Sequence, residues 1–127
     1  MTFEEIAKRV EARTLCGEEQ LAKIDIEKAY ACDLMSDVLA FCSPGVLLIT
    51  GLTNIQIVRT AQMLDIPGVL FVRGKAPQEE TIALARDAGI PLVLTDLSMF
   101  HSCGILYGDG IQPCMRGDRP DKPNKEA

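Results

Sequence analysis

The chain has 127 residues, of which 47% are hydrophobic and 24% are charged, and its formal net charge is −5. This length and composition are typical of one globular domain with a proper core. Lysine and arginine are not clustered as phosphate neutralisation requires, so we expect no nucleic-acid partner. No apolar run reaches membrane-spanning length and the first residues do not form a signal peptide, so we expect no membrane partner and a cytoplasmic location.

Two elements are expected before the middle of the chain. Thr2 and Glu5 form a capping-box pattern, which predicts an amphipathic helix from about residue 3 to 14, ended by Gly17, within an N-terminal segment 1–19. Apolar residues then fall mainly on even positions from Ala22 to Cys32, which predicts a half-exposed strand near an edge of the sheet.

The most informative part of the chain contains three short apolar runs that begin 23 residues apart, at Val46, Val69 and Leu92. Their continuous apolarity predicts adjacent strands covered on both faces. Helical patterns lie before and between them, at 34–42, 54–64 and 77–88, the last with Pro77 at its first position and Gly89 just past its end. Short links between strand and helix require parallel strands with right-handed crossovers.

The rest of the chain is expected to hold one more helix and a tail. Asp96 or Ser98 can cap a helix that runs to about Tyr107, and residues 113–127 are rich in proline and charge, which predicts a flexible tail. The fold class is therefore α/β: a single three-layer domain at residues 20–112, with a mainly parallel sheet flanked by helices.

Several stretches of this region resemble the DRTGG domain. Individually they are short, and their order and spacing carry the resemblance: residues 30–39, the Val46 strand ending in Thr50-Gly51, the helix start at 54–56, the Val69 strand ending in Gly74, and residues 89–100. The resemblance implies a fold similar to the N-terminal domains of HPr kinase and MurF. The Asp-Arg and Thr-Gly-Gly signatures of the family align with Leu52-Thr53 and Val72-Arg73-Gly74, so only the last glycine is kept.

In the settings where DRTGG domains occur, such as regulated pyrophosphatases with CBS modules, they are accessory and often dimerising parts. The resemblance therefore implies a regulatory or assembly subunit, with a weaker association with hydrogenase and iron–sulfur systems. A homodimer is also expected because the half-exposed strand at Ala22–Cys32 could pair with a second copy, with the first helix beside it.

A candidate ligand site is expected at the carboxyl ends of the parallel strands, where loops enter helices. Arg73 and Lys75 bracket a glycine before a helix start, an arrangement that suits a phosphate. A structural alternative stays open, in which the glycines make turns, Thr53 or Asn54 caps a helix, and the cations lie in a solvated loop. The candidate residues are Thr50, Gly51, Thr53, Asn54, Arg73, Gly74, Lys75, Thr95 and Ser98.

Catalytic and metal chemistry find less support. The five cysteines, an odd number at irregular spacing, are expected to be reduced and mostly buried, and no paired Cys/His spacing indicates a metal site. His101 and Cys103 could form a base and a nucleophile, but their i, i+2 spacing on a helix turns them apart. Asp33 and Asp37 are explained by capping of a helix start. We expect no catalytic residue and no cofactor.

Three functions remain in order of preference. The first is a non-catalytic regulatory module that senses a nucleotide or other phosphate-bearing ligand at the strand ends. The second is a structural scaffold or assembly subunit that docks to a larger partner enzyme, for example a redox complex with iron–sulfur clusters. The third is a thiol-dependent enzyme that uses Cys103.

Overall fold

Helices and strands alternate along the chain in a computed structural model that describes residues 1–115. A 3₁₀ helix at Glu18–Lys23 joins the first two strands. In chain order the other elements are α1 (Phe3–Arg9), β1 (Arg13–Cys16), β2 (Lys28–Ala31), α2 (Met35–Phe41), β3 (Leu47–Thr50), α3 (Gln56–Met63), β4 (Val69–Phe71), α4 (Glu79–Ala88), β5 (Leu92–Leu94), α5 (Met99–Gly108) and β6 (Gln112–Pro113).

The described residues form a six-stranded sheet in the order β1-β5-β4-β3-β2-β6. All neighbours are parallel except β1, which runs antiparallel to β5. The steps from β2 to β5 all go in one direction, so right-handed crossovers place α2, α3 and α4 on one face. The step from β5 to β6 goes back across the sheet, and α5 packs with α1 on the other face. The expected three-layer α/β domain is confirmed.

The three buried strands were predicted correctly as adjacent and parallel. Leu47, Ile49 and Leu70 pack against the α1 and α5 layer, whereas Leu48 and Val69 pack against α2, α3 and α4. Successive side chains of a strand point to opposite faces, so a strand between two helical layers must be apolar at every position. This explains why these runs show no alternation.

The first helix is shorter than predicted. The Thr2–Glu5 capping box is present, but α1 ends at Arg9, and Glu11 adopts a left-handed conformation with φ of 56°. The predicted end of this helix, at about residue 14, is therefore wrong. Arg13–Cys16 instead forms β1, which pairs with β5 and has a register shift between Thr14 and Cys16.

The strand predicted over Ala22–Cys32 is reduced to β2, because Ala22 and Lys23 belong to the 3₁₀ helix. It lies near the sheet edge as expected, but its outer side is not open: the amides of Gln112 and Cys114 donate to the carbonyls of Glu27 and Ala29. The start of the predicted tail therefore adds a strand to the sheet. Its remainder, residues 116–127, lies outside the described residues, and its flexibility stays a prediction.

The other helices match their predicted positions within two residues at each end. Gly89 ends α4 in a left-handed conformation with φ of 75°, and Ser98 caps α5 by accepting a hydrogen bond from the His101 amide. Pro77 is not the first residue of α4, since Gln78 is the N-cap. In the part of the chain that the structure describes, no helix has the length and apolarity needed to cross a bilayer.

Candidate functional site

A cavity of about 500 Å³ opens at the carboxyl ends of β3 and β4, between the starts of α3 and α4. Its volume falls within the range of roughly 300–1,000 Å³ that is usual for small-molecule sites. The wall from the β3–α3 loop and the wall from the β4–α4 region face each other across it. The lining residues are Gly51, Leu52, Thr53, Asn54, Ile55, Arg73, Lys75, Gln78, Glu80 and Thr81.

Asp33 holds the β3–α3 loop in place. Its Oδ1 accepts hydrogen bonds from the Gly51 amide at 2.7 Å and from the Thr50 hydroxyl at 3.0 Å. The Thr50 Oγ1 in turn accepts from the Leu52 amide at 3.1 Å. The sequence interpretation of Asp33 as the N-cap of α2 is wrong, because Leu34 occupies that position. Its carboxylate instead links the end of β2 to the end of β3.

Arg73 crosses from the end of β4 to the β3–α3 loop. Its Nη2 donates to the Gly51 carbonyl at 3.4 Å, and its backbone adopts φ of 66°. A Cβ atom at Gly51 would lie 2.5 Å from this Nη2. Glycine at position 51 therefore allows close approach of the guanidinium, and its backbone does not have a positive φ as a left-handed turn would require.

Gly74 has the turn role that the structural alternative described. Its φ is 69°, and a Cβ atom there would lie 2.7 Å from the Asp96 carboxylate. The Arg73 amide donates to the Leu97 carbonyl and the Gly74 amide to the Thr95 carbonyl, so the loops after β4 and β5 bind one another. Helices leave β4 and β5 toward opposite faces, which makes this the switch point where α/β proteins often bind ligands. In this chain, the backbone hydrogen bonds between the two loops occupy the switch point.

Two of the candidate residues have partners elsewhere. The buried Thr95 hydroxyl donates to the Val10 carbonyl at 2.6 Å and accepts from the Leu97 amide. Ser98 caps α5. The structure thus brings Gly51, Thr53, Asn54, Arg73 and Lys75 to one cavity. Thr50 is the last residue of β3 and Gly74 lies in the loop after β4, and neither of them, nor Thr95 or Ser98, is part of the cavity lining.

The lining of the cavity carries more positive than negative charge. Arg73 and Lys75 contribute two cations and Glu80 one carboxylate, and within residues 1–115 none of the three takes part in a salt bridge. The N-cap of α4, Gln78, makes no side-chain capping hydrogen bond. Its first amides therefore have no capping side chain, and the acidic Glu79 and Glu80 in the first turn offset part of the positive end of the helix dipole.

Sequence reasoning missed the α4 side of the cavity. Gln78, Glu80 and Thr81 line this side and were not among the candidate residues, and neither were the aliphatic Leu52 and Ile55 of the β3–α3 loop. An acidic residue in a first turn, such as Glu80, is already explained by the helix dipole. The signal that could have found the α4 residues is their closeness to Lys75 in the sequence: Gln78 follows Lys75 by three residues, so the first turn of α4 begins at the same edge of the sheet.

The thiol hypothesis at Cys103 meets an unfavourable environment. Burial raises the pKa of the Cys103 thiol, which disfavours the thiolate that a nucleophile requires. Burial also raises the pKa of Cys16. His101 is exposed on α5, and within residues 1–115 no group of three His, Cys, Asp or Glu side chains is arranged to hold a metal ion.

Comparison with known proteins identifies the family. The family model of the DRTGG domain matches residues 5–106, most of the chain. The chain belongs to the DRTGG domain family. In this DRTGG domain the match begins within α1, at Glu5, and includes β1. The two stretches that align with the family signatures, 52–53 and 72–74, both lie in loops at the cavity edge of the sheet.

A solved structure has the same fold as this DRTGG domain. It contains the CBS and DRTGG domains of the regulatory region of Clostridium perfringens pyrophosphatase, complexed with the activator diadenosine tetraphosphate. The TM-score is 0.68 at 20% sequence identity, over 83% of this chain and 45% of that chain. The chain thus spans less than half of that regulatory region. No curated protein matches the chain significantly.

Proposed function

We propose that this DRTGG domain is a non-catalytic regulatory module that senses a nucleotide or another phosphate-bearing ligand in the cavity between β3 and β4. The observation that carries the proposal is the cavity's two cations, Arg73 and Lys75, which have no internal ion pair among residues 1–115. Both lie beside a helix start without a capping side chain. Together they favour an anion with several oxygen acceptors.

Further support comes from rigidity on one side of the cavity. Asp33 fixes the Gly51 amide and the Thr50 hydroxyl, so the β3–α3 loop does not have to be ordered when a ligand binds. The solved neighbour is a regulatory region in complex with a nucleotide activator, which supports a regulatory role for the family fold. A cytoplasmic location, in which the cysteines would be kept reduced, belongs to the same proposal.

Calorimetric titration with AMP, ATP and inorganic phosphate tests the proposal on the full chain. We expect at least one nucleotide to bind, and Lys75→Gln and Arg73→Gln each to weaken it roughly tenfold, since a charge-assisted hydrogen bond contributes about 1.5 kcal/mol. Lys23→Gln is the matched control, because Lys23 is exposed in the 3₁₀ helix and does not line the cavity. Absence of binding for all three probes, or equal weakening by the control, contradicts the proposal.

The scaffold alternative is favoured by a different observation, the outer face of α5. Phe100 is 90% exposed and Tyr107 is 68% exposed, and nothing lies within 4 Å of the positions where Cβ atoms would stand on Gly104 and Gly108. An apolar side chain beside open glycine positions can receive a second helix. Because β6 covers much of the outer side of β2, the proposed homodimer interface lies on this face of α5 and not, as expected from the sequence, on α1 and β2.

Light scattering over a dilution series distinguishes a homodimer at the α5 face from a monomer. We expect a homodimer at micromolar concentrations that Phe100→Ser dissociates, because removal of a phenyl group from an interface loses a large apolar contact. Glu4→Ser on the exposed side of α1 is the control. A wild-type mass that stays at 13.9 kDa excludes the dimer at this face. A heterologous partner enzyme on the same face would then be the remaining form of the scaffold proposal.

A further inference from the structure

The cavity between β3 and β4 has three chemically different parts. Arg73 and Lys75 supply positive charge, and Leu52 and Ile55 supply aliphatic surface from the β3–α3 loop. The third part is Glu80 with Gln78 and Thr81 in the first turn of α4. A phosphate group alone would fill only a fraction of about 500 Å³ and would leave the last two parts without a partner.

Glu80 complements the dipole of α4, but a simple phosphate site gives its carboxylate no ligand group to bind. Its carboxylate has the same sign of charge as the proposed ligand's phosphate, and it is exposed without a salt bridge in the described part of the chain. Like charges repel, so Glu80 must face a different part of the ligand from the one that Arg73 and Lys75 bind. That part must donate hydrogen bonds, since a carboxylate only accepts them.

An ammonium, the amino group of a base and a pair of hydroxyls all meet this requirement. The amino group is not present in every base, whereas the hydroxyls are present in every ribonucleotide. An ammonium would bring a third positive charge into a cavity that already holds Arg73 and Lys75 with one carboxylate. Hydroxyls add no charge, and a carboxylate that binds ribose hydroxyls is a common device of nucleotide sites in α/β proteins. The aliphatic pair Leu52 and Ile55 can then cover the face of a base.

We propose, on the basis of the proposed function, that the cavity selects 5′-ribonucleotides through Glu80, which accepts hydrogen bonds from the ribose hydroxyls. Arg73 and Lys75 bind the 5′-phosphate, and Leu52 and Ile55 contact the base. Glu80 is thus a specificity residue for the sugar. The neighbouring Glu79 is also acidic, exposed and in the first turn, but it does not line the cavity, so it provides a matched control.

The test is calorimetric titration of the full chain with AMP and with 2′,3′-dideoxy-AMP, which keeps the phosphate and base but lacks both ribose hydroxyls. We expect the wild type to bind AMP roughly tenfold more tightly, the value of a charge-assisted hydrogen bond. Glu80→Gln is expected to reduce this preference to about twofold or less, whereas Glu79→Gln keeps it. Both substitutions preserve the shape of the side chain, and circular dichroism verifies that each variant is folded.

The outcomes separate this inference from the proposed function. Equal binding of the two nucleotides by the wild type overturns selection of ribose, but leaves a phosphate-binding module in place. A preference that Glu80→Gln keeps, or that Glu79→Gln abolishes equally, overturns the role of Glu80. If neither nucleotide binds, both the inference and nucleotide sensing are wrong.

Discussion

Asp33 offers the sharpest test of how the cavity is built. The substitution Asp33→Ala removes the acceptor of the Gly51 amide and of the Thr50 hydroxyl, both of which belong to buried residues. A hydrogen bond to a charged group contributes roughly 1.5–3 kcal/mol. Because Asp33 itself is exposed, solvent screens its charge and water can replace part of the interaction, so we expect a total loss of about 2 kcal/mol.

The measurement is urea unfolding followed by circular dichroism, with the free energy of unfolding obtained by linear extrapolation. Asp87→Ala is the control, since Asp87 is an exposed aspartate on α4 outside the cavity, and it should change stability by less than about 0.5 kcal/mol. Asp33→Ala should also weaken nucleotide binding, because the β3–α3 loop must then be ordered by the ligand. If Asp33→Ala is as mild as the control in both assays, Asp33 does not organise this loop.

Other parts of the fold lead to further predictions. Phe3→Ala should cost about 3–5 kcal/mol in urea unfolding, because the ring is fully buried against Gly68. The hydrogen bond from Arg9 lowers the pKa of Asp109 in the folded protein. The carboxylate therefore contributes stability above its unfolded pKa, and this contribution is lost as the pH falls through its folded pKa. In thermal melts the advantage of the wild type over Asp109→Asn should accordingly disappear in strong acid. Burial raises the pKa of Cys103, so its alkylation by iodoacetamide at pH 7, followed by mass spectrometry, should be slower than that of glutathione. A chain that ends at Met115 should melt within about 1 °C of the full chain, since the deleted residues are mainly prolines and charges.

The elements that could be predicted from sequence are those whose pattern reflects burial within the element itself. The runs at Val46, Val69 and Leu92 are apolar throughout because helices cover both faces, and Gly89 marks a helix end through its own backbone conformation. β1 could not be predicted in this way. Its four residues are too few to show a clear alternation, and only pairing with β5 after the left-handed Glu11 makes them a strand.

In the candidate site, too, some residues could be predicted from the sequence and others could not. The positions of Gly51, Arg73 and Lys75 follow from parallel topology, since the carboxyl ends of neighbouring strands lie at one edge. Thr95 satisfies the same rule, yet its hydroxyl is bound to the Val10 carbonyl because α1 packs across β5. The role of Asp33 depends on the Gly51 amide 18 residues away, a contact that no local pattern records.

Nuclear magnetic resonance of the isotope-labelled full chain, titrated with AMP, tests the central claim most directly. If the cavity between β3 and β4 senses nucleotides, the largest shifts in backbone amide signals should fall on residues 51–55 and on the region from Arg73 to Thr81. The amides of α5 should move little. Shifts that cluster on α5 instead, or a spectrum unchanged at millimolar AMP, would contradict a nucleotide site in this cavity.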